Sequence, residues 1–286
     1  MWVGVHSLQF FPTQWGTFAL IDLHSHILPA ADDGAENMVV SLEMARMAAA
    51  DGIEVMACTP HFMPGLYDNT ASDIRRRVAV LNQKLIEEDI DLALVVGGDA
   101  HIRPDFIDCL RHGRILSLHD SRYVLFEPSH VTMPPRLDEL LFNVLMAGFV
   151  PILTHPERFR WIEGNYPVFQ KLVEAGVWMQ VTAGSLTGRF GKRPHYWGQK
   201  MLAEGLIHII ASDAHNTTSR PPLMADAFDV AVQEVGLDEA HHLVLTRPQG
   251  ILENLPPEQI VPLPQVEKAE AASPSVWKRL FMGSRV

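Results

Sequence analysis

The stretch Ala19-Leu20-Ile21-Asp22-Leu23-His24-Ser25-His26 decides how the rest of the chain is read. A short apolar run ends in an acid and two histidines, and the His-x-His spacing puts both imidazoles on one side of an extended strand end. Alone, such a pair is a weak signal. The pattern recurs, however. Thr59-Pro60-His61 follows Ile53 to Cys58, and Gly97-Gly98-Asp99 follows Leu92 to Val96. Glu127 follows Tyr123 to Phe126, and His155-Pro156-Glu157-Arg158 follows Val150 to Thr154. Ser212-Asp213-Ala214-His215 follows Leu206 to Ala211, and Asp33 lies in the loop behind the first run. An imidazole or carboxylate at each strand's C-terminal end is how a β/α barrel gathers distant residues at one mouth.

Working outward, strand-like runs at 20–24, 53–58, 92–96, 122–127, 150–154, 177–182 and 207–212 alternate with helix-like stretches. The latter are Ser41–Asp51, Ala71–Glu88, Pro134–Ala147, Pro167–Ala175, His195–Glu204 and Pro222–Val235. Strands separated by helices imply an α/β fold with a mostly parallel sheet. No linker or charge block divides residues 19–261, which read as one domain. Residues 1–18 read as an N-terminal extension without a convincing signal peptide, since they hold no Lys or Arg. Residues 262–286 read as a flexible tail ending in Val276-Trp277-Lys278-Arg279-Leu280-Phe281-Met282. That peptide is either a frayed end or a weak membrane-surface or partner-docking element.

Composition narrows the function classes. A net charge of -11 argues against a general nucleic-acid binder. Two cysteines, Cys58 and Cys109, do not suggest a disulfide framework, and a reducing cytoplasm fits. No apolar run approaches the roughly 20 residues of a membrane span.

The donors are imidazoles and carboxylates with no well-placed thiolate, a mix suited to manganese, iron or zinc. Clustered carboxylates repel one another unless cations lie between them. Such cations also acidify bound water, giving hydroxide near neutral pH. Arg158 and Arg220 follow ligand motifs closely, and guanidinium forks suit phosphate oxygens. Metals beside two arginines point to a phosphate ester. The glycine- and hydroxyl-rich run from Gln180 to Lys192 is a structural or a substrate-side loop, and Pro64–Tyr67 has the character of a flap.

Together these phrases resemble the polymerase and histidinol phosphatase (PHP) superfamily, and within it the bacterial capsule and exopolysaccharide protein-tyrosine phosphatases. The resemblance runs from about Ile21 to Ile260. It rests on Asp22-Leu23-His24-Ser25-His26-Ile27-Leu28-Pro29, Asp32-Asp33-Gly34, Thr59-Pro60-His61, His155-Pro156-Glu157-Arg158, Thr182-Ala183-Gly184-Ser185-Leu186, Ala211-Ser212-Asp213-Ala214-His215-Asn216 and Arg220-Pro221-Pro222. It implies a distorted seven-stranded (β/α)7 TIM-like barrel with three divalent metal ions, usually manganese, at its mouth. By matching motif, His24, His26 and Asp213 would hold one ion, Glu127 and His155 a second, and Asp33, His61 and His215 a third, with Asp99 bridging the first two. Two positions depart from the family: Asp99 stands where glutamate is usual, and Ala30 replaces a glycine common after the Leu-Pro pair.

The reading is a metal-dependent phosphoesterase in which a metal-bound hydroxide attacks phosphorus while Arg158 and Arg220 hold the nonbridging oxygens. The resemblance implies a phosphotyrosine substrate, the tail of a capsule or exopolysaccharide tyrosine kinase at the inner membrane. It thus implies a cytoplasmic location, peripheral to that membrane if the tail docks. The alternatives are a phosphatase for histidinol phosphate or a sugar phosphate, and a noncatalytic scaffold of polysaccharide assembly.

Overall fold

The structure, a computed structural model, describes residues 19–265. The extension 1–18 and the Trp277–Met282 peptide lie outside the described residues. Among the described residues the strands are β1 (Leu20–Ser25), β2 (Ile53–Cys58), β3 (His61–Phe62), β4 (Ala93–Val96), β5 (Asp99–His101), β6 (Tyr123–Glu127), β7 (Val150–Thr154), β8 (Trp178–Thr182) and β9 (Ile209–Ala211). They pair in parallel, as β1-β2-β4 in one sheet and β3-β5-β6-β7-β8-β9 in the other.

The two sheets form one ring of seven staves. Thr59 and Pro60 interrupt one stave between β2 and β3, and Gly97 and Gly98 interrupt its neighbour between β4 and β5. Pro60 brings no N–H to a ladder. The glycines allow close passage there. A Cβ on Gly97 would sit 2.9 Å from the Thr59 methyl, and one on Gly98 would sit 2.5 Å from the Phe62 ring. At the opposite seam Asp213 N–H donates to the His24 carbonyl at 2.9 Å, and His26 N–H to the Ala214 carbonyl at 2.8 Å. A parallel bridge between Ser25 and Ala214 completes the closure. Seven strands were expected, and the breaks in two of them turn seven into nine.

Helices Met38–Ala50, Ala71–Glu87, Leu137–Met146, Ile162–Glu174, Lys192–Ala203 and Ala225–Val235 lie where the sequence places helical stretches, with shifted ends. Asn37 accepts from the N–H groups of Val39 and Val40, so the first helix begins ahead of Ser41. Pro167 lies inside the fourth rather than opening it. The backbone at Asn165 leaves helical geometry (φ −131°), which accommodates the missing N–H. Four short helices, Phe106–Arg111, Ala183–Leu186, Leu237–His241 and Arg247–Leu252, have no counterpart in the sequence reading.

Strand alternation sorts the core. Tyr123 and Leu125, Val150 and Ile152, Trp178 and Ile209 belong to the cluster lining the barrel interior, with Ile251, Leu252 and Ile260 packed into it. Val124, Phe126, Leu153, Met179, Val181 and Ile210 belong to the cluster beneath the helices. The interior parity carries on to Glu127, Gln180, Thr182 and Asp213 at the mouth. β1 breaks this rule, because Ile21 and Leu23 line the interior, yet His24 and His26 also turn inward. Its register with β2 shifts between Asp22 and Ser25, a bulge-like irregularity that re-aims the following side chains.

Candidate metal centre

All nine expected donors come together at the C-terminal ends of the strands. His24, His26 and Asp213 offer one atom each within 4.8 Å of one another, as do His26, Asp33, His61 and His215, and likewise His24, Asp99 and His155. Glu127 groups with His130 and His155 on one side, and with His61 and His101 on the other. These clusters can hold divalent cations. Most members are buried, and Asp33 is the exposed one.

Ring orientation is fixed from outside the cluster. His24 Nδ1 is 2.9 Å from Gln180 Oε1, His26 Nδ1 is 2.7 Å from Asp32 Oδ2, and His215 Nδ1 is 3.0 Å from the Asp213 carbonyl oxygen. Each acceptor calls for a proton on Nδ1 and leaves Nε2 facing the centre, the usual arrangement behind metal-binding imidazoles. Asp22 lies beneath, accepting from the Ser212 hydroxyl at 2.5 Å and the Ser212 N–H at 3.0 Å. It ties β1 to the end of β9. Gly34 completes the support, because a Cβ there would overlap the His26 carbonyl oxygen and sit 2.5 Å from the His26 Cβ.

Bare protein does not satisfy this arrangement. His24 Nε2 and His26 Nε2 face each other at 3.2 Å, and each lies 3.5 Å from Asp213 Oδ1. Among the described residues, both carboxylate oxygens of fully buried Asp99 lack a hydrogen bond, as do Glu127 Oε2, His61 Nδ1 and His155 Nδ1. Burying charged groups without good hydrogen bonds is costly, and cations held between these donors would offset that cost. The protons tell the same story. Burial pulls His26 down, but the Asp32 carboxylate and Asp213 raise it to about 9. Burial likewise opposes protonation of His61, yet Asp33, Asp99 and Glu127 push it well above its ordinary value. Burial and the His26 charge lower His215 to about 4, and burial with the Arg158 charge holds His155 low. At His26 and His61 the acids favour a proton on the imidazole, where a metal would otherwise supply the charge. The donor set therefore fits divalent cations.

The two arginines lie at the edge of the cluster. Arg158 Nη1 pairs with Asp213 Oδ2, and Arg220 Nη2 donates to the same oxygen at 2.6 Å. Burial would raise the Asp213 carboxyl, but Arg220, His24, His26 and Arg158 hold it well below its ordinary range. The buried Nε–H of Arg220 has no acceptor among the described residues. Arg158 also stacks over Phe190, 5.0 Å from its ring centroid, which brings the loop after β8 to the mouth.

Four contributors have no assigned role in the sequence, although Asp32 and Gln180 fall within motifs quoted from it. Asp32 and Gln180 orient histidines, and His101 and His130 touch Glu127. Gln180 and His101 could have been found from alternation, standing two residues from Thr182 and Asp99. His130 lies in an irregular loop, where no periodicity points to it.

A closed parallel α/β barrel with metal-binding donors converging on its mouth is the class of protein that fold and site define. Residues 20–253 match the family described as capsular polysaccharide synthesis, CpsB/CapC. The chain belongs to that family. It is 37% identical over 235 residues to tyrosine-protein phosphatase YwqE of Bacillus subtilis (strain 168), covering 82% of this chain and 92% of the relative. It is 28% identical over 243 residues to tyrosine-protein phosphatase CpsB of Streptococcus pneumoniae, covering 82% of this chain and 98% of the relative. A solved structure from work on YwqE of B. subtilis and CpsB of S. pneumoniae, described there as unique metal-dependent tyrosine phosphatases, superposes with a TM-score of 0.81. Identity in that alignment is 35%, over 87% of this chain and 100% of the other. The distorted PHP-type barrel expected from the sequence is the fold of this chain.

Proposed function

We propose that the chain is a metal-dependent phosphomonoesterase that acts on phosphotyrosine in a protein. The observation that carries this is the pairing of an unsatisfied, buried donor cluster with two arginines on one rim. The relatives' activity and the family's tie to capsule synthesis favour a phosphotyrosine tail on a polysaccharide-assembly kinase as the partner. That partner places the enzyme in the cytoplasm beside the inner membrane. No helix among the described residues is long and apolar enough to cross a membrane.

In this reading His24, His26 and Asp213 hold one divalent ion, Glu127 and His155 a second, and Asp33, His61 and His215 a third. Asp99 lies between the first two, and manganese is the favoured ion. Bound there, the ions supply Lewis acidity to the phosphoryl group and acidify water. Arg158 and Arg220 grip the nonbridging oxygens, the free Nε–H of Arg220 being a ready donor. Gln180 and Asp32 keep their imidazoles in one tautomer throughout. A cysteine nucleophile has no support, since both thiols are buried and burial raises each above its ordinary value. Thiolate, not thiol, is the reactive form.

The test is a chelated, metal-reconstituted enzyme assayed on tyrosine phosphopeptides against histidinol phosphate and sugar phosphates. Metal-dependent turnover preferring the phosphopeptides is expected. Faster turnover of a small phosphomonoester would reassign the substrate, and no turnover of either by a metal-loaded protein would leave a scaffold.

A further inference from the structure

Glu127 divides its carboxylate between two pairs of imidazoles. Oε1 lies 3.0 Å from His130 Nε2 and 3.5 Å from His155 Nε2. Oε2 lies 2.6 Å from His101 Nε2 and 3.3 Å from His61 Nδ1. The carboxylate is buried, at 5% exposure, and Oε2 makes no aligned hydrogen bond despite those neighbours. On the Oε1 side His130 Nε2 is within hydrogen-bond reach of the carboxylate, and on the Oε2 side the imidazoles crowd without aligning; on each side the atoms lie close enough together to share a cation. His101 and His130 stand beside the nine donors that the three ion positions use.

Their positions follow from the strands. On β5, Asp99 and His101 face the same way, two residues apart. The register sets His101 opposite Glu127 and Asp99 opposite Leu125, one level deeper. Asp99 accordingly groups with His24 and His155, whereas His101 groups with Glu127 and His61. Two residues of one strand thus serve two depths of the site. His130 approaches Glu127 from the loop beyond β6, and its ring centroid lies 4.7 Å from that of His155.

We propose that His101 and His130 are metal ligands, that Glu127 bridges their two positions, and that these imidazoles make the outer half of the centre select a borderline ion such as cobalt or zinc over magnesium. Imidazole nitrogen suits borderline transition ions, while magnesium demands oxygen donors and keeps its water. The proposal deepens the metal-dependent reading above and rests on it.

The experiment needs no turnover. Chelated protein is titrated with cobalt(II), with bound metal counted by elemental analysis and the visible cobalt bands recorded, alone and against competing magnesium. In wild-type protein, cobalt should stay bound against an excess of magnesium. His101→Gln and His130→Gln should each weaken cobalt binding by at least roughly 10-fold, the lower end of what losing even an outer partner costs, with altered bands. His101→Glu should keep the ion count and move preference toward magnesium and manganese. Both rings are partly exposed, with side chains at 19% and 33%, so the metal-free variants should melt with the wild type. Wild-type affinity and bands in both glutamine variants would overturn the proposal alone. Failure of the wild-type protein to take up cobalt, zinc or manganese would overturn it together with the metal-dependent reading.

Discussion

Single residues at the mouth show how local geometry serves the centre. His155 and Asp213 both take left-handed backbone at strand ends, with φ of 37° and 52°. Such conformations are costly for residues with a Cβ, and they persist where the surrounding structure holds them. Ala30 pays the same penalty (φ 53°) without offering a donor atom. Ala30→Gly should therefore stabilise the protein, by up to ~1 kcal/mol after the added freedom of the unfolded chain is subtracted; urea unfolding measures it. Gly34 is the reverse case, since its missing Cβ makes room for His26. Gly34→Ala should displace the end of β1 and lower metal retention against a chelator, even in protein that remains folded by circular dichroism. Arg220→Ala should keep its metals by elemental analysis yet lose roughly 10²–10³ in rate, the cost of removing a preorganised charge partner. Normal turnover in that variant would mean the guanidinium only pairs with Asp213.

At the scale of elements, the strands were legible because each apolar run ends in chemistry. The breaks within two staves were not, because Thr59-Pro60 and Gly97-Gly98 read as ordinary loop entries. Only their neighbours show that chain continues on the same line. The inward turn of His24 and His26 depends on a register shift in β1, which no alternation pattern reveals. His208, just before β9, is a further case: one histidine among fourteen in sequence, but a structural part in the fold. Its Nδ1 accepts from the Met179 N–H at 3.1 Å, and its ring stacks on Trp178. Burial holds it well below its ordinary value, and the Arg247 charge adds to this. The folded state thus favours neutral His208. Its contribution is fully present above the unfolded value of about 6.5 and is lost as pH falls below that. Between pH 7.5 and 5.5, wild-type stability should fall more than that of His208→Asn, whose amide oxygen can take over the Nδ1 contact. The difference in slope should be at most about 1.4 kcal/mol per pH unit. Parallel curves would show that His208 titrates normally.

Across the whole molecule, the mouth and the floor of the barrel do different work. The mouth concentrates charge that bare protein leaves poorly satisfied, while the floor is closed by an ion pair between a fully buried arginine and a partly buried glutamate. Arg247 is fully buried and meets both oxygens of Glu239, at 2.7 and 3.0 Å. It also donates to the carbonyl oxygens of Val261 and Pro262, at 3.0 and 2.7 Å. One guanidinium thereby fastens the chain after Ile260, which packs into the barrel interior beside Ile251 and Leu252. Arg247→Leu strips Glu239 of its guanidinium and leaves it, among the described residues, only the His242 contact at 3.3 Å, so it should cost up to about 3–5 kcal/mol. Adding Glu239→Gln should recover part of that loss, since the stranded charge is then gone. The site lies at the other end of the strands, so kcat per folded, metal-loaded molecule should stay near wild type in both variants. Urea unfolding beside an assay corrected for the folded fraction separates the two effects. A fall in kcat at full metal occupancy would show that the floor and the mouth are coupled through the staves.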